Sequence, residues 1–316
     1  MRTVEDTVRF LVPLDIDGSR DQSVELMKCL ATILGERLAK ITLLHVMAGR
    51  YLSEHMANID FRAKNVISTD KFKELRRGYI EGQIRPVLET AADEIRQTGL
   101  EAAIEIEIED GDPVDQIVEK ANSGEYDALI LQRSGLSRVG DMFVGSVTTG
   151  VLHREVHCSI YLPGSRLLEQ GCRPRCCLVA LDESDHAAEA LARAGRLARA
   201  CADTMERVVL VHVLDIARCG EALAGGEEVA GPAASLLDEA ASSLIGRGID
   251  ESRIRKVAAC GDPAEVLVDV AGREQADVLF MGRRGRGAVQ DLFMGSVSRK
   301  IIYRCPEPTI VLVSVD

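Results

Sequence analysis

Hydrophobic positions along the chain fall into two alternating patterns. Short runs that are apolar on both faces, at 8–14, 41–47, 103–108, 128–131 and 159–162, are separated by longer stretches with helical spacing. The alternation returns at 177–181, 208–214, 253–258, 277–281 and 309–313. Runs apolar on both faces suit parallel strands covered by helices. Between the first two runs, Val24, Met27, Leu30, Ala31, Leu34 and Leu38 recur at helical intervals, with Ser19 placed to cap them. Asp112-Pro113 and Asp262-Pro263 each read as an N-cap followed by proline at the first helical position. The polar stretch at about 49–70 has no period. It predicts a loop leading into a long helix that carries Phe72, Leu75, Tyr79, Val87, Leu88 and Ile95, and that Pro86 kinks or divides. The expected order is βαβαβαβαβ, twice, an α/β fold with parallel sheets.

The two halves repeat one another. Gly111-Asp112-Pro113 recurs as Gly261-Asp262-Pro263, the run at 126–131 as 276–281, and Gly145-Ser146-Val147 as Gly295-Ser296-Val297, all at an offset of 150. Upstream, Leu14-Asp15 matches Leu181-Asp182 and Leu44-His45-Val46 matches Val211-His212-Val213 at an offset of 167. The first copy therefore carries 17 additional residues between those landmarks. A unit of this size is a duplicated domain rather than a short solenoid repeat. The join lies near 163–176, where Pro, Gly and Arg interrupt the apolar pattern. The expected domains are 1–165 and 174–316.

Composition narrows the function classes. At 316 residues, two domains of about 150 residues each can form ordinary cores. A net charge of −12, aromatics at 3% and no Trp argue against a nucleic-acid binder, which needs basic surface and stacking platforms. One small anion at a local basic patch is still compatible. The first residues do not read as a secretory signal, and no apolar run approaches a membrane span. The nine cysteines are irregularly spaced and do not read as a disulfide framework, so the expected setting is a reducing cytoplasm. Cys172, Cys176 and Cys177 cluster without a nearby histidine, which favours packing over a zinc site. Lys71, Lys73, Arg76 and Arg77 read as a solvated helix face, and His45 and His212 as packed strand-end groups without a catalytic partner.

The candidate chemistry lies after the run at 277–281. Met281-Gly282-Arg283-Arg284-Gly285 forms a glycine-rich turn, and Gly295-Ser296 then opens a helical pattern with Val297, Ile301 and Ile302. Backbone N–H groups at such a helix start, with the Ser296 hydroxyl, suit a phosphate. Ligands of open parallel sheets bind beyond the carboxyl ends of strands where the strand order reverses.

The spacing Gly-x2-Gly-x9-Gly-Ser resembles the nucleotide-binding signature of the universal stress proteins. The resemblance extends over both copies through Leu-Val-Ala-Leu-Asp at 178–182, Leu-Val-His-Val at 210–213, Gly261-Asp262-Pro263 and the closing Pro-x-Ile-Val-Leu-Val at 308–313. It implies a Rossmann-like fold of the adenine nucleotide alpha hydrolase type, present as two tandem five-stranded sheets of order 3-2-1-4-5 with helices on both faces. The implied ligand is ATP or a related adenine nucleotide, with or without Mg2+. Carried over by position, Ala180 and Asp182 lie beside the adenosine, Val213 packs on the base, and Met281 and Gly282 flank the nucleoside. Gly285, Gly295, Ser296, Val297 and Ser298 surround the phosphates; Arg283 and Arg284 are near enough in sequence to add charge at most, and neither is assigned a direct contact. In the first copy Pro13, Asp15, Val46, Gly135, Gly145 and Ser146 match, but Gln132 stands where the second copy has Gly282. A left-handed backbone at that position, or close approach of ligand, would make glutamine costly. The second copy is therefore the expected binding site and the first a weak or empty one.

The resemblance further implies pairing of the last strands, at 158–162 and 309–313, as a pseudo-dimer within one chain, with a homodimer of whole chains as an added option. The expected role is a stress-response sensor or adaptor with an unidentified protein partner and no nucleic-acid or membrane ligand. Two alternatives stay open: a slow ATP hydrolase and a nucleotide-independent scaffold. No phosphate loop of the Gly-x4-Gly-Lys-Ser/Thr kind, general base or metal-binding carboxylate pair is readable near 282–298, so no catalytic residue is assigned and weak hydrolysis is the upper expectation.

Overall fold

The computed structural model describes residues 7–16, 22–48, 70–133, 144–214, 219, 230–285 and 294–315. The chain divides into two units, Met1–Ile130 and Leu131–Asp316. The first contains β1 (Val8–Pro13), α1 (Gln22–Leu34), β2 (Leu38–Met47), α2 (Asp70–Tyr79), α3 (Arg85–Arg96), β3 (Ala103–Asp110), α4 (Pro113–Ala121) and β4 (Ala128–Ile130). Its strands lie in the order β3-β2-β1-β4, all parallel. Ser19, the expected cap of α1, and the expected loop at 49–69 lie outside the described residues.

The second unit holds the end of the first repeat, α5 (Ser146–Leu152) and β5 (Ser159–Leu162), then α6 (Ser165–Glu169) in the join. The second repeat follows as β6 (Cys176–Leu181), α7 (Asp185–Ala200), β7 (Arg207–Leu214), α8 (Ala230–Gly246), β8 (Ile254–Cys260), α9 (Pro263–Arg273), β9 (Val278–Gly282), α10 (Ser296–Arg304) and β10 (Thr309–Val313). The strand order is β5-β10-β9-β6-β7-β8. Within the second repeat this is the 3-2-1-4-5 order, parallel throughout. The last strands of the two repeats pair antiparallel, with Ile310 opposite Leu162 and Leu312 opposite Ile160.

Apolar runs became central strands because both faces are covered: Phe10, Leu11 and Val12 of β1, Val208–Leu210 of β7 and Ile310–Val313 of β10 are inaccessible to solvent. The outer strands differ. β3 and β8 contain only exposed and partly exposed positions, and their charged residues mark solvated edges that resist pairing with another chain. The expected long helix is divided. A π-type turn, Ile80–Ile84, separates α2 from α3, and the Arg85 N–H reaches back to the Ile80 carbonyl. Pro86 lacks the N–H that a continuous helix would need there. Leu88 and Ile95 are buried as expected, whereas Leu75 and Val87 are exposed. The buried face runs through Ile80, Ile84, Leu88, Ala91, Ala92 and Ile95. Arg76 on α2 pairs with Asp110 at 2.7 Å on an exposed face.

The repeated Gly-Asp-Pro does the same work twice. Gly111 and Gly261 adopt φ of 143° and 144°, a region that disfavours side chains. Asp112 then accepts from Val114 and Asp115 N–H at 2.9 and 3.1 Å, and Asp262 from Ala264 and Glu265 N–H at the same distances. Lys300 also donates to Asp262 at 2.7 Å, and that contact, with the helix N–H groups, holds the Asp262 carboxyl below the usual carboxylate range. Because the folded-state pKa is depressed, this stabilisation is present above about pH 4 and is lost as the pH falls through the folded value. Asp262→Ala is expected to cost about 1 kcal/mol at neutral pH, a typical N-cap loss. Hydrogen exchange of peptides from α9 checks it, with the difference from the parent protein shrinking in acid.

Cysteine placement corrects one expectation. Cys219 and Cys260 form a disulfide, with Cα atoms 6.1 Å apart and a sequence separation of 41. It joins the segment after β7 to the last residue of β8. Cys176 and Cys177 are buried in β6, and burial pushes the Cys176 thiol up to about 11 and Cys177 well above its ordinary value. Among the described residues no group of three or more His, Cys, Asp or Glu could hold a metal ion, and no helix is long and apolar enough to cross a membrane.

Candidate nucleotide site

The strand order of the second repeat reverses between β6 and β9, since β7 flanks one and β10 the other. Pairing of β6 with β9 stops at Val179 opposite Phe280, while β6 continues along β7 to Leu181 opposite His212. Likewise β9 continues along β10 to Gly282 opposite Val313. A crevice therefore opens at the carboxyl ends of these two strands. Ala180 and Asp182 follow on one side and Met281 and Gly282 on the other, the arrangement in which open α/β sheets receive ligands. Val213 lies one strand further, in register with Ala259.

Asp182 does not cap α7. Ser184 is the N-cap, accepting from the Ala187 N–H at 3.2 Å, and Asp182 accepts from the Ser184 N–H at 3.1 Å and from its hydroxyl. The other Asp182 oxygen faces Gly285, where a Cβ would come within 2.7 Å of it. His212 is buried, and its Nδ1 lies 2.8 Å from the Leu181 carbonyl. His45 repeats this contact with Leu14 at 2.9 Å. A carbonyl partner requires a protonated Nδ1, so each ring ties two neighbouring strand ends together.

The start of α10 is the candidate phosphate end. Gly295 is its N-cap, no side chain caps it, and its N–H donates to the Arg283 carbonyl at 3.0 Å. The following N–H groups have no partner within the helix. Ser296 is exposed and Val297 partly exposed at this start. Ser298 is buried instead, its hydroxyl donating to the Gly282 and Arg283 carbonyls at 3.1 and 3.2 Å, so it fastens the helix to β9. Gly295 has φ −67°, and a Cβ there would come no nearer than 3.5 Å to the Arg283 oxygen. Nothing within the described protein requires glycine at this position, whereas a bound phosphate approaching the backbone would.

Gly282 has a different reason. It is the last residue of β9 and is absent from the positive-φ positions. A Cβ there would lie 2.8 Å from the His186 Cβ and 2.9 Å from the Arg284 carbonyl oxygen. Neither a left-handed backbone nor ligand approach is needed to account for it: the start of α7 passes too close. His186 is the residue that sequence reasoning missed. Its Nδ1 accepts the Val315 N–H at 3.0 Å, and burial, followed by Arg284, lowers its pKa. No spacing rule connects 186 with 282 or 315.

The two arginines of the turn part company. Arg283 is buried, donating to the Val156 and Leu152 carbonyls at 2.9 and 3.1 Å and also to that of Arg154. It is a structural anchor rather than supporting charge for a ligand. Arg284 is partly exposed, 3.9 Å from Glu155.

In the first repeat, Pro13 and Val46 are partly exposed at their strand ends and Asp15 is exposed, while Gly135 lies outside the described residues. Gly145 caps α5 with φ −57° and ψ 155°, close to the −67° and 155° of Gly295, and Ser146 is exposed like Ser296. Thr148 donates to the Gln132 carbonyl at 2.8 Å, where Ser298 meets Gly282. The helix start is thus kept in both repeats, although α5 has 7 residues and α10 has 9.

Comparison with known proteins gives the same pattern twice. The family described as the universal stress protein family matches residues 8–161 and again 175–313. A curated relative from Thermus aquaticus, the universal stress protein in the QAH/OAS sulfhydrylase 3' region, is 44% identical over 52 residues, which is 16% of this chain and 38% of the relative. The match thus spans well under half the length of that relative. A universal stress protein from Archaeoglobus fulgidus DSM 4304 superposes with a TM-score of 0.68 at 22% identity, covering 97% of this chain and 98% of that one. A further protein of Pseudomonas aeruginosa UCBPP-PA14, described as a universal stress protein, gives 0.59 at 13% identity over 99% and 95% of the two chains. A universal stress protein in complex with cAMP covers 45% of this chain at 22% identity, with a TM-score of 0.35. With two consecutive family matches spanning nearly its whole length, this chain belongs to the universal stress protein family.

Proposed function

We propose that the second repeat, within a domain of residues 174–316, binds an adenine nucleotide such as ATP, with or without Mg2+. In this reading the protein acts as a cytoplasmic stress-response sensor or adaptor. The observation that carries it is the crevice where β6 and β9 part, closed at one end by the uncapped start of α10 with Gly295 and Ser296. Ala180, Asp182, Val213, Met281 and Gly282 would line the nucleoside end, and the N–H groups at 296–298 with the Ser296 hydroxyl the phosphate end. The helix dipole contributes only about 0.3–2 kcal/mol toward an anion. Several backbone hydrogen bonds, made where a glycine admits close approach, supply the rest. The first repeat, within residues 1–165, is assigned a weak or empty site, and a homodimer of whole chains is part of the same proposal.

Native mass spectrometry of gently purified full-length protein is expected to find adenine nucleotide retained, and calorimetric titration with MgATP to show saturable binding. Gly295→Ala is expected to weaken that binding at least about tenfold, ~1.4 kcal/mol. Hydrogen exchange of α10 and β9 should not change, because the added methyl has ordinary contacts with the protein. No retained nucleotide together with no thermal shift at millimolar ATP would overturn the proposal. Titration with AMP, ADP and cAMP beside ATP ranks the ligands.

A further inference from the structure

Arg133 and Arg283 occupy equivalent positions 150 residues apart, each just after the fourth strand of its repeat. Both guanidinium groups are buried, and both reach into the segment that follows the last helix of the other repeat. Arg283 meets the carbonyls of Leu152, Arg154 and Val156 at the end of α5. Arg133 meets Cys305 at 2.9 Å, Pro306 at 3.4 Å and, at the limit of hydrogen-bond distance, Pro308 at 3.5 Å, all just beyond α10. Every one of these residues belongs to the second unit. Burial lowers both guanidinium pKa values to about 10, which leaves both groups charged at neutral pH. A cation at a helix carboxyl end is favourable, since that end presents unpaired carbonyls and the negative end of the dipole.

The two clasps have unequal consequences. α10 is the helix whose amino end forms the phosphate site of the second repeat. Its amino end is fastened through Gly295 N–H and Ser298 Oγ to the Arg283 and Gly282 carbonyls. Its carboxyl end is held by Arg133, a residue of the first repeat. The start of the join grips the same segment: the Arg166 N–H donates to the Glu307 carbonyl at 2.9 Å, and a Cβ on Gly164 would overlap the Pro308 backbone at 2.2 Å. The segment at 305–308 has little room to move.

We propose that the first repeat serves the second as a clamp, with Arg133 a positioning residue that holds α10, and hence the phosphate-binding N–H groups, in register with the crevice. This gives the first repeat a role that needs no nucleotide of its own, and it explains an arginine kept beside a Gln132 that departs from the ligand pattern. The proposal rests on the nucleotide reading of α10 for its functional half and on the clasp geometry for its structural half.

The test uses full-length Arg133→Gln and Arg133→Lys. The first removes charge and fork, the second keeps charge without the planar fork that serves several carbonyls at once. Arg133→Gln is expected to speed hydrogen exchange across 296–309 while β6 and β7 keep their protection. It is expected to weaken MgATP binding about tenfold, within the range common for coupled sites. Arg133→Lys should recover part of both. Unchanged exchange at 296–309 overturns the clamp, as does faster exchange there with unchanged MgATP affinity, which is the result of a purely structural contact. If Arg133→Gln does not fold, the same two measurements on Arg133→Lys decide. If the parent protein binds no MgATP, the nucleotide reading fails separately, and exchange alone decides whether the clamp exists.

Discussion

Gly282→Gln is expected to destabilise the junction of β9 and α7 by about 1–3 kcal/mol, the usual cost of overpacking a closed contact. It is also expected to remove nucleotide binding by the second repeat. The cause is steric and internal to the protein. Any Cβ at 282 falls 2.8 Å from the His186 Cβ, and 2.9 Å from the Arg284 carbonyl, neither of which is the free end of a flexible side chain. Relief requires α7 or the turn at 283–285 to shift. The same turn sets Gly285 against Asp182 and receives Gly295 N–H and Ser298 Oγ on the Arg283 carbonyl. A shift there disturbs both ends of the crevice together. Hydrogen exchange of peptides from β9, α7 and α10 measures the first effect and MgATP calorimetry the second. A variant with parent-like exchange and parent-like affinity would show that the contact at His186 is not restrictive.

Reduction of the Cys219–Cys260 disulfide is expected to lower the stability of the β7–β8 region by up to about 4 kcal/mol. That is the chain-entropy value for a closed loop of this length, and measured losses are commonly smaller. The separation of 41 residues sets the size of the effect. The position gives it functional interest: Leu214 is paired with Cys260, and Val213, assigned to the base, is paired with Ala259. The bond thus closes the end of two strands one residue beyond a proposed ligand contact. Exchange of β7 and β8 peptides with and without a dithiol reductant, and in Cys219→Ser, gives the size. Alkylation before and after reduction, read on the peptides that carry Cys219 and Cys260, counts the thiols this bond releases. Alkylation of both cysteines without any reductant would remove the disulfide from the protein as it exists in solution. Disulfides are rare in reducing compartments, so the same measurement on protein alkylated inside cells bears on the expected cytoplasmic location.

Much of the fold was legible because its determinants are local. Strands follow from short apolar runs, and the duplicated Gly-Asp-Pro writes a positive-φ glycine, a capping aspartate and a first-turn proline into three consecutive positions. The break at Pro86 was readable for the same reason, since a missing N–H acts within one turn. The phase of that helix was less so: Leu75 on α2 and Val87 on α3 look like core residues in composition, and only the packing of the two helices exposes them. The solvated character of β3 and β8 also depends on their being outermost, which no run of residues states.

The duplication, the parallel α/β architecture and the glycine–serine spacing at the head of α10 are each encoded within one strand, one turn or one helix, and residue order alone carries them. What Gly282, Ser298, Arg133, Arg283 and the pair Cys219–Cys260 do depends on neighbours that folding brings from far along the chain. Gly282 makes room for His186, almost a hundred positions away, and Ser298 turns inward to two carbonyls. Arg283 leaves the ligand side for carbonyls 127 to 131 residues distant, and Arg133 reaches 172 residues to the end of α10. A guanidinium on a glycine-rich turn has the same local signature whether it meets a phosphate or a helix end. The partner that desolvates it is chosen by how the strands are ordered in space, and that order is a property of the folded chain.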